Sequence, residues 1–352
     1  WGGNFAGEFV NAKQFEGVAM DKIIESPALR KNPLSYGPYY IKEVIQGEKV
    51  IFEANPYFYK GEPKIKRIEM EILPPSQQVA AIKSGKYDLV FMASTDIFPE
   101  IEKFDNINIA TRKANYMNYI AFKLGKWDAE KNENIVNPNA KMYDINLRKA
   151  IAYAIDNDAI GEQFFHGLAS TAKSQLSPSF PSLHNPDING YRIDIEKAKK
   201  LLDDAGYKDV DGDGIREGKD GKPIKFTFAM MSGGETAEPI SQYYLQQWKN
   251  IGLNVELVDG RLLDFNNFYD RVEADDPAID FCLAGIGFSS DPQQVSLFGK
   301  TAGFNISRYT SETLDKALAN TVSPEAIDDQ KRAEFYKEYE RVFMDEIPVV
   351  PQ

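Results

Sequence analysis

Apolar and polar positions follow two different rhythms along the chain. In its first third, short β-rich runs at 40–46 and 49–54 flank Gly47-Glu48, which predicts a tight hairpin. Residues 65–73 alternate as a third strand. Ser76 then stands as N-cap of a helix through Ser84, with Gly85 as its left-handed stop and a strand at 87–92 directly after it. Strand, helix and strand at this spacing predict a right-handed βαβ unit with a parallel sheet. A short helix at 20–25 ends at Ser26-Pro27, and further strands are expected at 107–111 and 116–122.

The rhythm changes after Phe122. Residues 123–143 are polar and turn-prone, placing a domain boundary near 123. Helical stripes follow at 147–155 with Asp144 as N-cap, at 157–165 with Asp156, and at 195–205 with Asp194 and a closing Gly206. A Pro-rich extended connector at 170–189 separates the last two. Strand 224–230, helix 239–250 and strand 253–258 read as a second βαβ unit. Helical patterns return at 263–272, from Glu312, and from Pro324 with Ser323 as N-cap; residues 347–351 read as a strand returning toward the first domain.

The stretch Ala278-Ile279-Asp280-Phe281-Cys282-Leu283-Ala284-Gly285-Ile286-Gly287-Phe288-Ser289-Ser290-Asp291-Pro292 organises the rest. Its apolar run reads as a buried strand emptying into a loop, and such strand ends are where open α/β sheets bind ligands. Strand 224–230 ends similarly, in Met231-Ser232-Gly233-Gly234, so the two exits are expected on the same side of one sheet. Two α/β lobes joined by crossings near 116–122 and 347–351, with a cleft between them that closes by a hinge, fit this layout.

Composition narrows the classes. At 352 residues the chain is long enough for two domains, and 41 basic against 53 acidic residues give a net charge of −12, which disfavours nucleic acid and anionic lipid. No run approaches the roughly 18 apolar residues of a membrane helix. The single cysteine, Cys282, excludes an intramolecular disulfide and reads as a small buried hydrophobe. The first and last residues look cut from something longer.

Candidate chemistry is sparse. Asp209, Asp211, Asp213, Ile215, Glu217 and Asp220 fall at positions 1, 3, 5, 7, 9 and 12 of a calcium-loop template with Gly214 at 6. Position 12 is a shorter Asp and position 8 is Arg216, so a structural calcium stands against a solvated turn. His166 and His184 lack metal-ligand spacing and read as surface or packing residues. Gly299-Lys300-Thr301 copies the tail of a phosphate loop by chance, because Gln294 stands where its first glycine belongs. Acid pairs such as Asp203-Asp204 and Asp275-Asp276 read as solvated faces. No catalytic constellation emerges.

Six segments in order resemble the peptide-binding extracellular solute-binding proteins of ABC importers, solute-binding family 5. They are Asn32-Pro33-Leu34-Ser35-Tyr36-Gly37-Pro38-Tyr39; Asn55-Pro56-Tyr57-Phe58; Leu147-Arg148-Lys149-Ala150-Ile151-Ala152-Tyr153-Ala154-Ile155-Asp156; Ala198 through Tyr207; Ser290-Asp291-Pro292; and Asn305-Ile306-Ser307-Arg308-Tyr309. The resemblance covers roughly residues 30–352. It implies a two-lobed, periplasmic-binding-protein-like (type II) α/β fold with mixed sheets and helices on both faces. Residues 1–118 would be an incomplete lobe one, 119–122 a hinge crossing, 123–346 lobe two and 347–352 a return strand. It further implies an extracellular or periplasmic location, a lipid anchor on the full-length protein, ABC permease subunits as partners and a monomer.

The expected ligand residues are Asn118 at the crossing and Met231, Ser232, Gly233, Gly285, Phe288, Ser289 and Asp291 at the exits. Many family members carry an Asp, four residues before the proline, that pairs with a peptide amino group; here that position is Phe288. Oligopeptides held through their main chain are therefore expected over strict dipeptides, with no catalysis and no required cofactor. The rival readings are an oligosaccharide or nickel chelate on the same scaffold, and a carboxylate-dependent hydrolase.

Overall fold

The structure, a computed structural model, describes residues 11–23, 25–31, 33–91, 93, 95–111, 115–288 and 291–352. These pack into two compact units that part near residue 93.

In the first unit a 3-10 turn at Ala12–Phe15 is followed by a second at Met20–Lys22, not a helix reaching residue 25. Ser26-Pro27, read as a stop, starts helix α1 (Pro27–Arg30) instead: Ser26 Oγ accepts the Leu29 N–H at 3.3 Å and Pro27 needs no donor in the first turn. Strands β1 (Tyr39–Ile45), β2 (Lys49–Ala54) and β3 (Arg67–Glu71) form one antiparallel sheet in that order. The β1–β2 hairpin turns at Gly47, whose φ is +75°. Helix α2 (Gln78–Ser84) stops at left-handed Gly85, as expected. Ser76, however, lies inside a 3-10 turn, and Gln77 is the N-cap residue without a side-chain bond. Residues 87–91 form no strand and Met92 lies outside the described residues; Leu89 and Phe91 are 77% and 71% exposed. The expected parallel βαβ unit is thus not formed among the described residues, because strand propensity at 87–91 finds no edge to pair with.

The second unit holds α3 (Phe98–Ile101), then a loop at 107–111 where a strand was expected, and a five-stranded sheet. Strand β4 (Tyr116–Phe122) is followed by a hairpin of β5 (Gly125–Asp128) and β6 (Glu133–Val136). The polar stretch read as an interdomain boundary therefore folds with this unit. Gly125 makes the hairpin possible, since a Cβ there would lie 2.1 Å from the Ile135 carbonyl oxygen.

Helices α4 (Ile145–Tyr153), α5 (Asn157–Phe165) and α6 (Ile195–Ala205) start where their caps predicted. Asp144, Asp156 and Asp194 accept the Asn146, Ala159 and Lys197 N–H groups at 2.8, 3.0 and 2.9 Å. Strand β7 (Phe226–Ala229), helix α7 (Ala237–Asn250) and strand β8 (Val255–Leu257) form the second βαβ unit, with β7 and β8 parallel. Helix α8 (Phe265–Glu273) leads into β9 (Phe281–Gly287), parallel to β7 and antiparallel to β4.

Short α9 (Val295–Phe298) and α10 (Glu312–Asn320) precede α11 (Asp329–Glu346). Ser323-Pro324 begins only a 3-10 turn at Pro324–Ile327; Asp328 is the cap of α11, accepting the Lys331 N–H at 2.9 Å. Strand β10 (Val349–Pro351) pairs with β4, giving the order β10-β4-β9-β7-β8. Pro351, with no N–H, sits where it is tolerated, on an edge strand. The residues expected to form a crossing, 119–122, lie in the interior of this sheet, with 119–121 paired to both β9 and β10.

Two features make this sheet rigid. Phe228, Trp248 and Phe281 meet with ring centroids 4.9 to 5.0 Å apart, and the Trp248 Nε1–H donates to the Ile151 carbonyl at 3.3 Å, joining β7, α7, β9 and α4. Just past the end of β4, Lys123 donates to the carbonyls of Val272 and Ile306, each at 3.0 Å, and to Asp275 at 2.6 Å. Arg308 binds the same carboxylate oxygen at 2.7 Å and the Gly303 and Glu273 carbonyls. Asp275, expected on a solvated face, is therefore the anion of a buried cluster.

Candidate functional site

The candidate site is the end of the sheet where β4 begins and β9 finishes. Tyr116 pairs with Gly287 and Asn118 with Gly285. Period-two alternation turns Met117 and Tyr119 into the core and leaves Tyr116 and Asn118 exposed. Gly285 is needed by its neighbour: a Cβ there would lie 1.6 Å from Tyr116 Oη and 3.2 Å from Asn118 Oδ1. With glycine, the tyrosine ring lies across β9. Gly287 faces open space, with nothing within 4 Å of a Cβ built on it.

The ladder decides what the two glycines offer. The Phe288 N–H donates to the Asn115 carbonyl at 2.8 Å, and the Asn118 carbonyl accepts the Gln352 N–H at 2.9 Å on its far side. By antiparallel alternation, the backbone N–H and C=O groups of Gly285 and Gly287 point away from β4, toward the β7 side. There β7 has already ended: it pairs with β9 only at Phe228 with Phe281 and Ala229 with Cys282. Residues 283–287 overhang it.

Past Ala229 the chain turns aside. Met231 bridges Leu263, and Ser232 bonds the Leu263 carbonyl through both its N–H, at 2.7 Å, and its Oγ, at 3.2 Å. Gly233 and Gly234 then take φ values of +146° and +68°, which a side chain would resist. On the overhanging edge the backbone of Gly285 meets the Tyr269 hydroxyl; burial, opposed by that contact, raises the hydroxyl above the ordinary tyrosine range, so it stays neutral. Gly287 has no strand partner on that side among the described residues.

The structure thus brings Asn118, Gly285 and Phe288 together on β4 and β9, with Met231, Ser232 and Gly233 leaving the parallel neighbour at the same end. Phe288 is held at two points, because its carbonyl also accepts Asn115 Nδ2 at 2.8 Å. Asp291 lies farther along, accepting the Gln293 N–H at 3.0 Å and pairing with Arg332 at 3.3 Å. Ser289 lies outside the described residues. Sequence reasoning missed Tyr116, Tyr269 and Asn115. Tyr116 was within reach, since it stands two residues before Asn118 and must share its face.

In the acidic loop, the carboxylates of Asp209, Asp211 and Glu217 lie within 4.8 Å of one another. Asp209 also accepts the Gly212 and Gly214 N–H groups, and Glu217, buried, accepts that of Val210. Asp213 turns back to the Ile215 N–H at 2.7 Å, and Asp220 sits in the next turn beside Lys222. Arg216 points out of the loop, donating to the Ile251 and Tyr207 carbonyls and pairing with Asp203.

The family model for bacterial extracellular solute-binding proteins, family 5 Middle, matches residues 8–305. The chain is 30% identical over 337 residues to the oligopeptide-binding protein OppA of Lactococcus lactis subsp. lactis, covering 95% of this chain and 56% of that protein. It therefore spans little more than half the length of this relative. Among solved structures, lactococcal OppA complexed with an endogenous peptide in the closed conformation superposes with a TM-score of 0.93 at 29% identity, covering 99% of this chain and 65% of that one. AppA from Bacillus subtilis in complex with a nonapeptide gives 0.79 at 23%, covering 97% and 65%. The fold is the periplasmic-binding-protein-like α/β class expected from the sequence, and this chain belongs to the bacterial extracellular solute-binding proteins of family 5.

Proposed function

We propose that this chain is part of the extracellular, peptide-capturing component of an ABC importer, binding oligopeptides through their main chain and passing them to membrane permease subunits without chemical change. The observation that supports this most is the overhang of β9, where Gly285 and Gly287 turn backbone groups to a side with no adjoining strand among the described residues, Gly285 meeting the Tyr269 hydroxyl there. An extended peptide adds there as a strand, and backbone pairing gives affinity with little dependence on side chains. The absence of a large side chain at both positions lets the peptide approach closely. Asn118, Met231, Ser232, Gly233, Phe288, Ser289 and Asp291 supply the rim. The endogenous peptide and the nonapeptide in the two relatives' structures point to the same ligand class. The protein acts outside the cytoplasmic membrane, held by a lipid anchor, as a monomer.

Mass spectrometry of the molecules released on denaturation tests this. A set of peptides of similar length and varied sequence is expected; a sugar, a metal chelate or a single unique peptide overturns main-chain capture. Gly287→Pro, which removes one edge N–H, should weaken peptide binding by about tenfold while leaving the fold intact.

A second reading concerns the acidic loop. Three carboxylates within 4.8 Å repel one another unless a cation lies among them, and their oxygens suit a hard divalent ion. We infer that Asp209, Asp211 and Glu217 hold a structural calcium. Calcium at about 100 times its Kd should add about 2.7 kcal/mol of stability, an effect that Asp211→Asn should shrink. Identical melting curves in calcium and in chelator would remove the site.

A further inference from the structure

The Pro-rich connector holds a histidine against a buried carboxylate. His184, in the Pro-rich connector, is half-buried, and both its ring nitrogens face acceptors: Nδ1 lies 2.9 Å from Glu340 Oε1 and Nε2 lies 3.0 Å from the Ser177 carbonyl oxygen. A neutral imidazole has one N–H and can satisfy only one of them; an imidazolium satisfies both. Glu340, on α11, is fully buried and also accepts from Ser174 Oγ and the Asn185 N–H. It is thus fixed from three directions.

The contact reaches the rim in two steps. Ser177 Oγ donates to Asn115 Oδ1, and Asn115 holds Phe288 at both its N–H and its carbonyl. A parallel path starts just before the buried segment 174–177: the Ala172 N–H donates to the Gln352 carbonyl at 3.2 Å, and the Gln352 N–H donates to Asn118. Residues 174–177 are buried throughout, so they transmit position rather than absorb it.

We propose that His184 and Glu340 form a proton-controlled latch that sets the position of the peptide rim, closed when the imidazole is charged and loosened when it is neutral. This rests on the peptide-capture reading of the rim. Ser177 and Asn115 are positioning residues in it: they act on the ligand through Phe288.

The net effect of the groups acting on His184 is to raise its pKa. The hydrogen bond to Glu340 and that residue's charge raise its pKa, as does the contact with the Ser177 carbonyl, while burial and Lys173 oppose them. A raised pKa means the charged, closed form is complete below the ordinary histidine range and is lost as pH rises through the raised value. Peptide affinity should therefore fall on the alkaline side.

Two readouts test the latch on the complete protein. The first follows the His184 ring and the Phe288 and Asn118 amides by NMR from about pH 5.5 to about pH 9. The second measures the Kd of a fluorescein-labelled synthetic nonapeptide over the same range. The amides should titrate with the midpoint of His184, and Kd should rise about fivefold across it. Ser177→Ala should leave the His184 titration in place but uncouple Phe288, and His184→Gln should flatten the affinity profile. A Phe288 amide that ignores His184, or a His184→Gln profile identical to the wild type, overturns the latch. If the nonapeptide binds at no pH while the amides still follow His184, the latch stands and peptide capture falls.

Discussion

Replacing Gly285 with alanine probes the packing on which the rim depends. The new Cβ would lie 1.6 Å from Tyr116 Oη, 2.4 Å from its Cζ and 3.2 Å from Asn118 Oδ1, so the tyrosine cannot keep its place. Tyr116 is 53% exposed, and its outer end can swing into solvent without moving β4. The cost should therefore sit at the low end of overpacking, about 1 kcal/mol. That corresponds to a fall of about 2 °C in Tm for a unit of this size. Peptide affinity should drop more, by about tenfold, because the ring then occupies space beside the strand edge. Gly287→Ala is the control: it meets nothing within 4 Å and should shift Tm by less than about 1 °C. The decisive assay is a double-mutant cycle by denaturant unfolding, since Gly285→Ala in a Tyr116→Ala background should lose the penalty and show a coupling of about 1 kcal/mol. Additive effects, or a loss above about 3 kcal/mol for Gly285→Ala alone, would show that the glycine serves the backbone and not Tyr116.

Two other perturbations follow from buried groups. Asp275→Ala leaves the side chains of Lys123 and Arg308, 8% and 2% exposed, without their anion, and should cost about 3–5 kcal/mol in urea unfolding at neutral pH. Burial pulls the Asp275 carboxyl up, but the Lys123 charge and hydrogen bonds from Lys123, Arg308 and the Trp127 N–H outweigh it and hold the pKa below the ordinary range. Its stabilisation is therefore present above the ordinary carboxylate range and disappears as pH falls through the depressed value, so the variant's acid-unfolding curve should be shallower than the wild type's. A loss under about 1 kcal/mol would mean that the cluster is hydrated. Cys282 tests the core directly: burial, opposed by Lys123, pushes its thiol up to about 12, so a thiol reagent at about pH 8 should label it only as fast as the unit unfolds. Rapid stoichiometric labelling of the native protein would contradict the burial.

What was legible in the sequence was local. Asp144, Asp156 and Asp194 announced their helices because a cap and its N–H partner lie within three residues. The hairpin at Gly47 and the exit at Gly285 were legible for the same reason. Strands at 87–91 and 107–111 were misread because a strand needs a partner, and apolar alternation says nothing about whether one is present. Ser26-Pro27 shows a direction error: serine before proline opens a helix as readily as a turn closes one. Asp275 was hidden by its neighbour, since an Asp-Asp pair looks solvated until Lys123 and Arg308, more than thirty residues away on either side, arrive beside it. The overhang of β9 could not be read at all, because it depends on where β7 stops.

That overhang raises a physical difficulty, since an unpaired strand edge frays or aggregates unless its surroundings hold it. Three buried cations answer it by binding backbone carbonyls, two of them beside the Asp275 carboxylate. Lys123 and Arg308 fasten the end of α8 and the 303–308 turn beside β4. Arg148 donates to the carbonyls of Met142, Tyr143, Glu346 and Ile347, tying the start of α4 to the end of α11, just ahead of β10. Each bond both satisfies a buried acceptor and fixes a strand's neighbour. Binding and stability then reside in different residues. Substitutions at Gly287 or Tyr116 should alter peptide affinity with little change in Tm, whereas substitutions at Arg148, Lys123 or Arg308 should lower Tm first and lose the ligand only as the sheet comes apart.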